Sequence, residues 1–290
     1  MRSQLRMVLL VLTLTAVASP LQAQVLPWNI AVDSWFGVDF LVARQDILSR
    51  PAIKGTIREY SAEWNPRAPA LSGMVEVSPF PFASARLAGS ISVGSNSIPV
   101  VRDTGFVPGH FEWDLRTEFS AWEAAGLFHL WNAGGYRFSV TAGYRREVWL
   151  YQGDPAGRQS ADSSLREEFR SDIPFVGLQT AMNFPLWKAR FEVLGSWFMT
   201  KTIEQKISLG SAAETAKGKG DTGGVILFQM DGATHIRPNV TLGLYVRYSY
   251  QEFTGRALLT TNVPGAAESP YKFWFNENVA AFGVYAGVVF

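Results

Sequence analysis

Cysteine is absent from the 290 residues. That excludes a disulfide framework and any thiolate metal site. Histidine occurs three times, at His110, His129 and His235. No cluster of His, Asp and Glu shows ligand spacing, so neither a metal nor another cofactor is expected. Neither sign of charge is in excess, with 26 Lys and Arg against 25 Asp and Glu. That balance carries no polyanion-binding field and argues against nucleic acid as a partner. Long apolar runs are missing as well. No stretch reaches about 18 uninterrupted apolar residues, which argues against a helical membrane protein.

What is abundant is aromatic. Ten Trp, twenty Phe and nine Tyr bring the aromatic content to 13%, while mean hydropathy stays near zero. Apolar and polar residues therefore cancel, and they do so with a period of two. Tyr136, Phe138, Val140, Ala142 and Tyr144 alternate with Arg137, Ser139, Thr141, Gly143 and Arg145. Val240, Leu242, Leu244, Val246, Tyr248 and Tyr250 alternate in the same way with Thr241, Gly243, Tyr245, Arg247, Ser249 and Gln251. A period of two is a strand with two unlike faces. Arginine between apolar neighbours fits a strand with lipid on one side and a polar lumen on the other. Lipid tolerates only helices and closed barrels, so the pattern predicts an all-β transmembrane barrel.

Ten antiparallel strands are expected. They lie near 29–46, 57–78, 83–93, 111–131, 135–151, 167–183, 188–207, 222–235, 239–259 and 271–290. Pro79–Pro81, Asn132–Gly134, Asn183–Pro185 and Arg237–Asn239 read as short turns. Residues 47–56, 94–110, 153–166 and 208–221 read as longer polar loops. Short turns alternating with long loops match periplasmic turns and extracellular loops. Arg2, Arg6, the apolar run Met7–Val17 and Leu21-Gln22-Ala23 read as a secretory signal cleaved after Ala23. Residues 24–290 then form one barrel with a net charge of −1, from 24 basic and 25 acidic side chains. The expected location is a bacterial outer membrane. The expected partners are its lipid and, through the terminal aromatic Phe290, the barrel-assembly machinery.

Several segments resemble the omptin family of outer-membrane barrels, many of them endoproteases. Tyr60–Trp64 with Leu71–Gly73 and the Pro79–Pro81 turn is similar to the family's second strand. Gly135–Phe138 with Ala142–Arg145 resembles the fifth, and Phe169 with Ile173–Leu178 the sixth. Phe191–Val193 with Gly195–Trp197 resembles the seventh, and Glu277-Asn278 with the closing strand the tenth. The resemblance implies an Asp-x-Asp pair on the second loop facing an Asp-x-His pair above the seventh strand, where the histidine activates water. Here the second loop offers only Asp103, and the Asp-x-His position falls on Glu204-Gln205-Lys206. No Asp-x-His occurs anywhere in the chain. The expectation is a barrel without the peptidase site, whose extracellular loops bind an outside ligand or lipopolysaccharide. The alternative is an endopeptidase rearranged around Asp103, His110 and Glu204, and a third reading is a small pore.

Other candidates follow from charge. Arg166, Arg170, Lys201 and Lys206 are expected on the outer wall at headgroup height, where lipopolysaccharide phosphates would meet them; the resemblance implies the same ligand. Glu112, Asp114, Arg116 and Glu118 share one parity and read as a lumen-facing stripe rather than a cation site. Asp231 and Glu192 are expected to pair with Arg190, Arg137, Arg145 or Arg247 inside the lumen. His129 and His235 read as solvated rim residues beside short turns.

Overall fold

The computed structural model describes residues 30–49, 52–53, 56–57, 60–93, 97–103, 110–155, 163–209, 211–262 and 268–289. Ten antiparallel strands form a closed ring. The first is Ala31–Ser49, and the second comes in two pieces, Tyr60–Trp64 and Arg67–Phe80. The third to sixth are Ala83–Ser92, His110–Ala133, Tyr136–Pro155 and Ser163–Asn183. The seventh is again double, Trp187–Ser196 and Thr200–Leu209. The eighth to tenth are Ala212–Arg237, Val240–Thr261 and Ser269–Val289. Each pairs with its sequence neighbours, and the first pairs with the tenth from Asp33↔Val289 to Ser49↔Phe273. Closure removes every sheet edge in the ring.

The turns between the second and third, fourth and fifth, sixth and seventh, and eighth and ninth strands are short. Gly134 and Gly135 form one of them, at φ of 62° and 83°. Both angles are left-handed, as a two-residue hairpin turn requires, and only glycine adopts them without strain. Pro66 interrupts the second strand but not its register, because Gln45↔Trp64 and Val42↔Arg67 lie on one continuous ladder. Proline lacks the N–H for that rung, yet its carbonyl still accepts from the Ala43 amide at 2.9 Å.

Parity is as expected in the fifth and ninth strands, and the tenth alternates in the same way. Tyr136, Val140, Leu242, Leu244, Phe282 and Val284 point outward and are exposed, Leu244 by 64%. Arg145, Ser139, Thr141, Tyr245 and Tyr285 point inward and are buried. The outward apolar residues form a band. In water such a continuous apolar girdle would aggregate; against hydrocarbon it matches its solvent.

Three segments depart from expectation. Residues 208–221 are not a loop: Thr200–Leu209 and Ala212–Arg237 form a tight hairpin whose ends pair as Leu209↔Ala212. The reason lies in Lys217-Gly218-Lys219-Gly220, which itself alternates. The lysines face outward, exposed, and the glycines face in. A Cβ on Gly218 would meet Phe273 at 2.9 Å, and one on Gly220 would meet Phe253 at 3.1 Å, so these glycines make room for aromatics inside. The seventh strand is not continuous from 188 to 207. It breaks at Trp197–Met199, and the inward parity passes from Arg190, Glu192, Leu194 and Ser196 to Lys201, Ile203 and Ile207. Within 94–110, Ser97–Asp103 is itself a strand and pairs with the start of the fourth. The signal segment and Phe290 lie outside the described residues.

Candidate functional site

The barrel interior has two chemistries, one above the other. Toward the short turns the lumen is ionic. Arg86 donates to Glu123 at 2.8 Å and to Glu192 at 2.9 Å. Arg145 donates to Glu147 at 2.6 Å, and Arg190 to Asp231 at 2.6 Å. Arg137 donates to Glu76 at 2.7 Å, and Arg247 reaches Gln229 at 3.3 Å. The expected partner of Asp231 is present, whereas Glu192 pairs with Arg86 of the third strand. Arg86, Arg137, Arg145 and Arg190 each face a carboxylate within the bore, whereas buried Asp39 is held by the Ser72 hydroxyl at 2.8 Å. A ten-strand lumen is narrow, and Arg86, Glu123, Arg145 and Glu147 are buried across it.

Toward the long connections the lumen is aromatic. Trp64 meets Phe169 edge-on at 5.4 Å, Phe169 lies 5.3 Å from Phe275, and Phe275 stacks on Phe253 at 5.3 Å. Phe119 and Trp149 lie 4.5 Å apart. Into this cluster projects Lys201, fully buried, with Nζ 3.6 Å from the Phe275 ring centre and 3.0 Å from a Glu277 carboxylate oxygen. Gln45 donates to the same oxygen at 2.8 Å, and Tyr151 donates to Gln45 at 2.5 Å. Burial lowers the Lys201 ammonium's pKa, with Glu277 opposing. Burial also raises the Glu277 carboxyl, with Lys201 opposing. Both lie above the apolar band, since the outward neighbours at this level are polar: Thr202 beside Lys201, Asn276 and Asn278 beside Glu277. Lys201 is therefore no outer-wall residue. The break at Trp197–Met199 turned its face inward.

The other expected site residues separate. Glu204 faces outward and pairs with Lys217 at 3.1 Å, both well exposed. Lys206 also faces outward, while Gln205 between them turns in and donates to Glu167 at 2.5 Å. Asp103 and His110 stand opposite each other across one ladder rung, a juxtaposition by backbone alone. Their side chains, like those of Glu112 and Asp114, lie outside the described residues. Arg116 and Glu118 face outward, not into the lumen. Fifth and sixth strands stand between the fourth strand, which carries His110, and the seventh, which carries Glu204.

Arg166 and Arg170 do face outward, flanking Glu168 at 3.5 and 2.7 Å. They belong to a wider wall. One row of partners runs Arg170↔Thr202, Thr202↔Lys219, Lys219↔Arg256 and Arg256↔Lys272 across five strands. Lys219, Arg256 and Lys272 are consecutive, outward and exposed. Among the described residues none of the three has an ion-pair partner. Like charges directly opposite cost from a few tenths to about 1 kcal/mol per pair. Six residues separate Arg256 from Tyr250 at the top of the apolar band, about 15 Å of height for a strand tilted as barrel strands are. Lys219, Arg256 and Lys272 were not anticipated, although the alternation through Lys217 and Lys219 signals their face.

The backbone ring is similar to that of the outer membrane protease OmpT from Escherichia coli. The TM-score is 0.74 at 13% identity, over 89% of this chain and 96% of that one. The fold is an outer-membrane β-barrel. The NalP translocator domain from Neisseria meningitidis (TM-score 0.38, 10% identity, 94% of this chain and 92% of that one) and OprG from Pseudomonas aeruginosa (0.37, 8%, 91% and 97%) match more loosely. No protein-family model matches the chain. No curated protein sequence matches it either. An identity of 13% carries the fold alone.

Proposed function

We propose that this chain is a non-proteolytic barrel of a bacterial outer membrane whose outer wall binds the phosphate groups of lipopolysaccharide. The observation that carries the reading is the row Lys219, Arg256 and Lys272, three adjacent cations above the apolar band with no ion-pair partner among the described residues. An anion between them turns mutual repulsion into charge-assisted hydrogen bonding. Arg166, Arg170 and Lys206 extend the basic wall around the next two strands.

The absence of peptide hydrolysis is supported by Glu204, which points away from the lumen toward Lys217, and by the aromatic fill of the upper bore. Asp103 and His110 alone supply one carboxylate and one imidazole.

Two measurements test the reading. The purified, folded barrel in detergent is titrated with lipopolysaccharide. Charge reversal by Lys219→Glu, Arg256→Glu and Lys272→Glu together should weaken binding at least tenfold and flatten its salt dependence. Binding indifferent to both salt and the triple variant refutes the lipid site. Separately, the protein should leave a dibasic peptide library intact; cleavage that disappears in Asp103→Ala restores the peptidase.

A further inference from the structure

At the short-turn end, opposite the basic wall, the barrel opens into a cavity of about 330 Å³. Asp33, Trp35, Ser78, Arg137, Lys188 and Arg190 are among its walls. Lys188 holds both oxygens of Asp33 at 2.8 Å. Ser78, half-buried, connects this cavity to the buried histidine. Its Oγ lies 2.7 Å from Ser84 Oγ, and Ser84 Oγ lies 2.7 Å from His129 Nε2. The other ring nitrogen, Nδ1, lies 2.8 Å from Ser139 Oγ. His129, expected as a solvated rim residue, is thus buried and held at both nitrogens, by the third strand on one side and the fifth on the other. Ser84, His129 and Ser139 are each less than a tenth exposed.

A nucleophilic hydroxyl needs a base within hydrogen-bond reach and a third group that orients the base. This chain of four side chains has that order with one hydroxyl, Ser84, interposed between the Ser78 hydroxyl and the imidazole. With Nδ1–H donating to Ser139, Nε2 accepts from Ser84, and Ser84 accepts from Ser78. The proton of Ser78, which lines the cavity, then has a path to imidazole. The charged groups facing the ring are Glu76 of the second strand and Arg137 of the fifth, themselves paired at 2.7 Å. They leave the ring between one charge of each sign. Arg137, like Ser78, lines the cavity and is a cation there for a carbonyl oxygen that gains charge.

We propose that Ser78 is an acyl-accepting nucleophile at the short-turn mouth, acting on small esters of zwitterionic, amino-acid-sized acyl groups. Ser78 Oγ bonds to the acyl carbon as its proton passes to Ser84 and that of Ser84 to His129 Nε2. The acyl–oxygen bond breaks, and the alcohol leaves with the proton returned along the same path. Water repeats the sequence, releases the acid and restores Ser78. The cavity suits this class in size, and in holding Asp33, Glu76 and Asp231 against Arg137, Lys188 and Arg190. Ser84, His129 and Ser139 are positioning residues.

The test is covalent. The folded barrel in detergent is treated with a fluorophosphonate probe and mapped by mass spectrometry, with alanine p-nitrophenyl ester as substrate. Labelling is expected at Ser78, and Ser78→Ala should abolish both labelling and ester turnover. In His129→Gln the labelling rate should fall at least a hundredfold, the scale of a lost general base. Its imidazole-shaped pH profile should also flatten. Folding of each variant is followed by heat-shifted gel mobility. Should His129→Gln misfold, Ser84→Ala provides the same break in the path. A folded wild-type barrel whose Ser78 stays unlabelled, or labels at a rate that ignores His129 and Ser84, overturns the proposal. Lipopolysaccharide binding is untouched by either result.

Discussion

Replacing Lys201 by methionine isolates one buried charge. Methionine keeps the length and the contact with Phe275 but removes the ammonium. Glu277 is then left fully buried, with Gln45 its one remaining donor; its second oxygen already lacks a partner. At 3.0 Å, two unit charges attract by about 5 kcal/mol at an effective dielectric of ~20. Burial of both groups consumes much of that, so the pair itself is nearly neutral, whereas orphaning one partner costs about 3–5 kcal/mol. Lys201→Met should therefore lower unfolding free energy by that amount at neutral pH, read from urea unfolding in detergent micelles. Lys201→Met with Glu277→Gln should recover all but about 1 kcal/mol. The pH dependence has a definite sign. Burial raises the folded-state pKa of Glu277, so the folded chain binds that proton more tightly than the unfolded one. In the single variant, stability must fall as pH rises from the unfolded carboxyl value through the raised folded one, and return on acidification. A single variant as stable as the double, or one whose deficit ignores pH, refutes this account of the upper lumen.

Four further outcomes follow. Planar-bilayer recordings should show no steady conductance, because Arg86, Arg145, Arg190 and their carboxylates occupy the bore; a stable open current would mean the ionic layer is absent. Gly143→Ala should impair folding, since its Cβ would lie 2.4 Å from the Ala124 carbonyl and 2.7 Å from Phe175, an overpacking cost of about 1–3 kcal/mol. Gly126→Ala, one strand away with nothing within 4 Å of the new carbon, is the tolerated control; equal effects in heat-shift gels would contradict the packing. Deleting Phe290 should reduce the amount of folded barrel recovered from outer membranes, and unchanged yield removes that residue from assembly.

Much of the barrel was legible because two solvents impose a period of two on each strand. The fifth strand shows it most plainly, with Arg137 and Arg145 inside and Tyr136 and Val140 outside. Legibility ended where the period slips. Lys201 and Lys206 both look like wall residues, yet they have opposite parity. Only the three-residue break at Trp197–Met199 decides which one enters the lumen. The run Lys217–Gly220 reads as loop by composition and as strand by alternation, and the aromatics that need its glycines arrive from strands far along the chain. The relay of Ser78, Ser84, His129 and Ser139 comes from four strands, and no local spacing announces it.

The slip in the seventh strand has a counterpart in the eighth. Ser196↔Val225 and Lys201↔Gly220 lie on the same register. The two strands therefore stay aligned with each other, while the mismatch falls on their outer neighbours, at the sixth strand and at Gly220/Thr222 against the ninth. These two strands behave as one ribbon set a residue out of step with the rest of the wall. Natural variants that gain or lose a residue at this height must do so in both strands together. A change in one alone would exchange wet and greasy faces for everything beyond it.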